Sequence, residues 1–261
     1  MYKTILFEKS NQMAIIALNR PEVMNAFNVE MHEEVYDALN KAAEDVDVRC
    51  IVFRGNGKGF SSGADLKSIS REDVASLDHG TYLKNTYNRL LLRMAEIEKP
   101  IIGALHGPVF GAGLGVALAC DLRIAAASSS YSMAFIKIGL IPDAGSHFFL
   151  PRIVGLSRAM ELAMLGDTLT SEEALRLGLV NKVVPDEEFE QAAQAYAFRL
   201  AQSPTQALGL IKKNMYMSFE SDLATVLEAE VRGQSICGRS RDHQEGVTAF
   251  FEKRRPNFTG K

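Results

Sequence analysis

The chain has 261 residues and a mass of 28.7 kDa, enough to bury a large core as one α/β domain or as a domain with an appendage. Its 29 Lys and Arg against 32 Asp and Glu leave no basic excess to hold a polyanion, which speaks against nucleic acid as a partner. Three widely separated cysteines, Cys50, Cys120 and Cys237, contain no C-x-x-C pair, so neither a disulfide framework nor a zinc knuckle is indicated, and a reducing compartment is expected.

The N-terminus, MYKTILFEKSNQM, lacks an apolar run of signal-peptide length, so a cytoplasmic protein is expected. Residues 2 to 8 and 13 to 18 read as two strands joined at Ser10-Asn11. Met31, Val35, Ala38, Leu39 and Ala42 fall at helical spacing opposite Glu33, Glu34, Asp37 and Lys41, which predicts an amphipathic helix over Val29 to Val46. The wholly apolar run Cys50 to Phe53 predicts a parallel strand covered on both faces. After a glycine turn at Phe60 to Leu66, the polar segment Lys67 to Gly80 reads as a surface connection. Leu83, Tyr87, Leu90, Leu91 and Met94 then mark a second long helix, ended by Pro100.

Ile101 to Cys120 holds no Asp, Glu, Lys or Arg and spaces Gly103, Gly107, Gly111 and Gly115 four apart. Pro108 in its middle and the strand-like Ile101-Ile102 argue against a bilayer-spanning helix. Leu122 to Ala126 reads as a strand, Ser157 to Leu165 as a helix, and Thr170 to Leu177 as a helix opened by a Thr-x-x-Glu capping box. Val180 to Val184 is a last strand. From Asp186 to Lys253 the pattern is helical, punctuated by Ser203-Pro204 and Gly233, with one apolar stripe at Phe189, Ala192, Ala193, Tyr196 and Leu200. The apolar faces of these helices need the parent core or a neighbouring subunit to cover them. Recurrence of helix, apolar strand and glycine turn is βαβ logic, an α/β fold that places ligands at the carboxyl ends of its strands.

Two glycine-rich turns follow apolar strands, at Phe60 to Leu66 and at Gly107 to Gly115. Backbone N–H groups are open to a ligand only where side chains do not shield them, and two of these, one per turn, can converge on one oxygen and stabilise an enolate. The same glycines also suit close helix-sheet packing. Neither turn fits a phosphate loop or a dinucleotide fingerprint. Asp143, in Ile-Pro-Asp-Ala-Gly, reads either as a helix N-cap or as an acid/base, since nearby Phe135, Phe148 and Phe149 would raise its pKa and a helix start would lower it. Ser146 and His147, adjacent on a helix, point about 100° apart and are badly placed for a serine triad. His147, one turn from Asp143, is a candidate for the pocket wall. The remaining histidines have no ligand spacing, so no metal is expected. The basic ending, Glu252 to Lys261, reads as a solvated tail or as a partner for a phosphorylated ligand.

The stretches LNRPEVMNAFN (18 to 28), GFSSGADL (59 to 66), KPIIGALHGPVFGAGLGVALACDLRIAA (99 to 126), IGLIPDAG (138 to 145) and LTSEEALRLGLVNKVV (169 to 184) carry a resemblance. Over essentially its full length the chain resembles the crotonase, or enoyl-CoA hydratase/isomerase, superfamily. MAFIKIGLIPDAG (133 to 145), GLIKKNM (209 to 215) and EGVTAFFEKRRPNFTGK (245 to 261) are most similar to the phenylacetate-pathway ring-epoxide and enoyl-CoA isomerases.

The resemblance implies a spiral of ββα units over residues 1 to 200, a helical trimerisation region over 201 to 261, and trimers, often paired into hexamers. It implies an acyl-CoA substrate, with coenzyme A as part of that substrate and no separate cofactor. The thioester carbonyl would meet the N–H groups of Ala64 and Ala112, beside Gly111. Val23, Ala26, Ser62, Asp65 and Leu66 match positions near the adenine and pantetheine, and Phe258 one that reaches a neighbour's CoA. The two glutamates with which hydratases of the family handle water fall on Gly115 and Phe135, leaving Asp143 as the acid. The expected activity is therefore an acyl-CoA isomerase, shifting a double bond or opening a ring epoxide. The alternatives are an enoyl-CoA hydratase, a thioester hydrolase using Asp143 and His147, and a non-catalytic acyl-CoA-binding or RNA-binding homologue.

Overall fold

Along the third strand the side chains of Cys50 and Val52 enter one apolar cluster and those of Ile51 and Phe53 another, so both faces of the sheet are buried. This is the environment that a wholly apolar run demands. The structure, a computed structural model, describes residues 1–65 and 78–261. Most of the polar connection expected over 67 to 80 lies outside the described residues.

The hairpin of β1 (Ile5–Ser10) and β2 (Met13–Leu18) turns through Asn11 and Gln12, both with positive φ, one residue later than the sequence suggests. Helix α1 (Val29–Glu44) starts at Asn28, whose side chain accepts from the Met31 N–H, the expected capping chemistry. β3 (Cys50–Gly55) pairs in parallel with β2. Helices α2 (His79–Leu83) and α3 (Arg89–Glu96) flank a five-residue π-turn, Lys84–Asn88. β4 (Ile101–Leu105), β5 (Pro108–Phe110), α4 (Ala112–Leu118), β6 (Leu122–Ala126) and β7 (Ser130–Ser132) follow. So the glycine stretch Gly107 to Gly115 is a short strand leading into a helix, not a simple turn.

Next come α5 (Ser146–Val154), α6 (Leu156–Leu165), β8 (Thr168–Thr170), α7 (Ser171–Arg176) and β9 (Lys182–Val184). The capping box at Thr170 and Glu173 forms in both directions. The main sheet has the order β1-β2-β3-β4-β6-β9, parallel but for β1, and β5-β7-β8 make a second, three-stranded sheet. α8 (Phe189–Ala201) lays Phe189, Ala193, Ala197 and Ala201 on one face of the main sheet, while α1, α3 and α4 cover the other.

α9 (Thr205–Ser218), α10 (Leu223–Cys237) and α11 (Arg241–Phe251) complete the helical C-terminal region. Gly233 does not interrupt it. It lies inside α10 with the Asn214 side chain of α9 nearby, so it serves helix packing, and the breaks fall at 219–222 and 238–240 instead. α9 is tied to the sheet by Lys212, whose ammonium meets the Asp121 carboxylate at 3.1 Å while that same carboxylate accepts from the Ile101 N–H.

The ending is not a loose tail. Arg49, buried at the start of β3, donates to the carbonyls of Ser203 (2.6 Å) and Phe258 (2.8 Å) and to the Thr205 hydroxyl (3.0 Å). Buried Asp242 accepts from the N–H groups of Thr259 and Gly260. Arg254 is taken by Glu245 and Glu252. Replacing Arg49→Met should cost about 2–3 kcal/mol, because its charge-assisted bonds leave buried acceptors behind. Urea unfolding checks the loss, and faster carboxypeptidase trimming of residues 258 to 261 checks the release of the tail.

Candidate active site

The loop after β2 is shaped by Met24 and Asn25, both left-handed with φ 54°, a region asparagine tolerates better than most residues. Asn25 is fully buried. Its amide donates to the carbonyls of Asn56 and Gly59 at 2.8 Å, its side-chain oxygen accepts from the Arg20 N–H, and its own carbonyl accepts from the Ser61 hydroxyl. Arg20 in turn reaches the Asp65 carboxylate at 2.8 Å and the Ala26 carbonyl at 2.7 Å. One asparagine and one arginine thus hold the first glycine turn on both sides.

The second turn lies against it, backbone to backbone. Ser61 and Val109 form a parallel bridge, with the Phe110 N–H donating to the Ser61 carbonyl at 2.9 Å. A Cβ on Gly63 (φ 103°) would stand 3.1 Å from the Phe110 carbonyl oxygen and 3.2 Å from the Ala112 nitrogen. The bridge between Phe27 and Ala64 uses the Gly63 carbonyl and the Asp65 N–H, so the Ala64 N–H points away from it. Ala112 opens α4, where an N–H has no helical acceptor. Among the described residues neither N–H donates to a protein group.

Both turns border a cavity of about 590 Å³ whose walls include Ser62–Asp65, Tyr82, Tyr87, Phe110–Ala112, Phe135, and the segment from Leu140 to Gly145. Asp143 is on that wall. Its side chain does not cap α5: Gly145 takes the cap position, and the Ser146 N–H bonds the Asp143 backbone carbonyl. The N-cap reading is therefore replaced by a half-buried carboxylate whose buried Oδ1 has no partner among the described residues. Burial raises its pKa to about 6, and no lowering from the short helix beyond prevails. A carboxyl poised there can both take and return a proton near neutrality.

Gly111 and Phe135 share the cavity wall with Asp143. Gly115 does not. It faces Ala144, and a Cβ on it would stand 2.5 Å from the Ala144 carbonyl oxygen, so this position is filled by backbone and has no room for a longer side chain. His147 is exposed and outside the cavity wall, because the turn that buries Asp143 sends the next helical face to solvent. Ser146 is buried while His147 is not, so the two form no dyad.

Of the positions expected near coenzyme A, Ser62 is exposed beside Val23, Ala26 is buried, and Asp65 sits on the wall against Arg20. Leu66 lies outside the described residues. Phe258 is remote from Asp143 and walls a separate cavity of about 530 Å³ between α11 and α9. Sequence reasoning missed Asn25, for which a conformation-tolerant Asn after Met24 was the available signal, and Tyr87, which looks like one more core position.

Among the described residues no group of three His, Cys, Asp or Glu able to hold a metal exists, and no helix is long and apolar enough to cross a membrane. A sequence model for enoyl-CoA hydratase/isomerase matches residues 8–261. The chain belongs to the enoyl-CoA hydratase/isomerase family.

It is 42% identical over 262 residues to 1,2-epoxyphenylacetyl-CoA isomerase of Escherichia coli, covering all of both chains. It is also 42% identical to a protein titled "Probable enoyl-CoA hydratase" from Rhodobacter capsulatus, covering 100% of this chain and 99% of that one. Enoyl-CoA hydratase from Bacillus anthracis, a solved structure, superposes with a TM-score of 0.91 at 30% identity, covering 99% of this chain and all of that one. The α/β fold with its helical C-terminal region is thus the crotonase fold. As an enzyme of this hydratase/isomerase family, the chain combines two free N–H groups with one half-buried acid, Asp143.

The raised pKa has a thermodynamic sign. An unfolded aspartate titrates near about 3.9, so the folded state holds its proton more tightly, and the stability this gives is lost as pH rises through about 6. Asp143→Asn should therefore gain melting temperature relative to wild type as pH rises from about 4 to about 7, with the gap level above that. Calorimetry across that range measures the gain, and a constant offset would mean Asp143 titrates as an ordinary surface acid.

Proposed function

We propose that the chain is an acyl-CoA isomerase. The N–H groups of Ala64 and Ala112 polarise the thioester carbonyl, and Asp143 removes an α or γ proton and returns it elsewhere on the enolate. Opening of a ring epoxide on the acyl group is the specific variant favoured. Coenzyme A enters as part of the substrate, along Val23, Ala26, Ser62, Asp65 and Leu66.

One pair of observations carries this reading above the hydratase alternative: the half-buried Asp143 keeps a buried Oδ1 with no partner among the described residues, while Gly115, where a water-handling glutamate would stand, is packed shut by Ala144. One carboxylate suffices to move a proton between carbons, whereas adding water across a double bond asks for a second group. Asp65, the other carboxylate on the cavity wall among the described residues, is engaged by Arg20. The relative named an epoxyphenylacetyl-CoA isomerase supports the same choice.

The test is a panel of crotonyl-CoA, a 3-enoyl-CoA and the ring epoxide of phenylacetyl-CoA, each with wild type and Asp143→Asn. Isomerisation should exceed hydration, and Asp143→Asn should lower kcat by about 10²–10⁴, the span of a lost general base. Fast hydration of crotonyl-CoA that survives Asp143→Asn would favour the hydratase. Turnover of nothing, with tight binding, would favour the non-catalytic homologue.

We also propose that residues 201 to 261 assemble the enzyme as a homotrimer or a pair of trimers in the cytoplasm, with Phe258 meeting a neighbour's CoA. Supporting this, α9 to α11 leave Ile211, Met215, Leu227, Val231, Phe250 and Phe251 exposed, more apolar surface than a monomer tolerates well. Mass photometry should give three or six times 28.7 kDa, and a monomer would refute it.

A further inference from the structure

Tyr87 sits in the π-turn Lys84–Asn88 between α2 and α3. Such a turn inserts a residue into the helical register and is frequently found at functional sites. The ring is fully enclosed. His32 packs edge-on at 4.2 Å between centroids, with Phe27 at 5.7 Å and Tyr82 at 6.3 Å. Phenylalanine would fill this space equally well.

The hydroxyl is what packing leaves unexplained. It is buried without a partner among the described residues, as are both ring nitrogens of the adjoining His32, and an orphaned buried donor is a cost that native structures seldom keep without a use. The neighbouring Thr86 hydroxyl, by contrast, is satisfied by the Tyr82 carbonyl at 2.6 Å. Tyr87 belongs to the wall of the cavity that holds Asp143, whose Oδ1 is the other orphan there. Burial, with smaller contributions from Tyr82 and Asp143, pushes the phenol pKa well above its ordinary value, so the group remains an O–H donor.

We propose that the Tyr87 hydroxyl is a subsite for an ether-type oxygen carried on the acyl group, the oxygen of a ring epoxide or cyclic ether. The inference rests on the acyl-CoA reading of the cavity. The thioester oxygen is assigned to Ala64 and Ala112, so the Tyr87 hydroxyl, sealed at the wall of the same cavity, is left for a second acceptor. A site with a committed donor discriminates against an isostere that lacks the acceptor, because the donor then stays buried and unpaired.

The experiment is calorimetric titration of two thioesters without a leaving group β to the carbonyl, tetrahydropyran-3-ylacetyl-CoA and its carbocycle cyclohexylacetyl-CoA, into wild type and Tyr87→Phe. Wild type should bind the ether at least tenfold more tightly, and in Tyr87→Phe the ratio should fall to about one. Melting of Tyr87→Phe should match or exceed that of wild type, since only an orphaned donor is removed. Equal affinities in wild type overturn the subsite whether or not the variant folds, as does a preference that survives in Tyr87→Phe. If neither thioester binds wild type, the acyl-CoA reading fails and the subsite falls with it.

Discussion

Everything at the site depends on two stretches of backbone touching without side chains between them. A Cβ on Gly113 would stand 2.8 Å from Ser61 Cβ, and one on Gly107 would stand 2.1 Å from the Lys58 carbonyl oxygen. These are contacts no larger residue permits, so a methyl group at either point would wedge the turns apart. Their contact follows β3 and β4, which lie side by side in parallel and deliver both turns to the same edge of the sheet. The free N–H groups of Ala64 and Ala112 inherit their placement from that contact.

Polar groups around the cavity are left in conditions that disfavour folding. Asp143, Ser146, Tyr87 and His32 all carry buried atoms without partners among the described residues, and burial drives the His32 pKa down to about 3 while it drives that of Asp143 up. Stability is held elsewhere, in a sheet with apolar clusters on both faces and in the anchors made by Arg49, Asn25, and the Asp121–Lys212 pair. The rigid clamp and the strained site are separate sets of residues. This division is what lets a carboxylate keep a raised pKa without the loop around it relaxing to solvate it.

Periodic elements were legible because their signal is local. The alternation at Cys50 to Phe53, the stripe on α1 and the capping box at Thr170 each follow from the geometry of a few consecutive residues. The three-residue strands β5, β7 and β8 were not legible, because their pairing partners are distant in sequence and none is long enough to show a period. Gly233 misled for a related reason: its use is to face α9, which composition cannot distinguish from a break.

By itself, then, the sequence determined the α/β architecture, the family through its glycine and acid motifs, and the absence of a second carboxylate at Gly115 and Phe135. Only the tertiary structure decided which of the named residues act together. It brought Ala64, Ala112, Gly111, Phe135 and Asp143 to one cavity, turned His147 to solvent, filled the space at Gly115 with Ala144, and added Tyr87. The physical reason is that a pKa, an unpaired donor and a closed space are properties of surroundings, and the surroundings of Asp143 come from chain segments far apart in sequence.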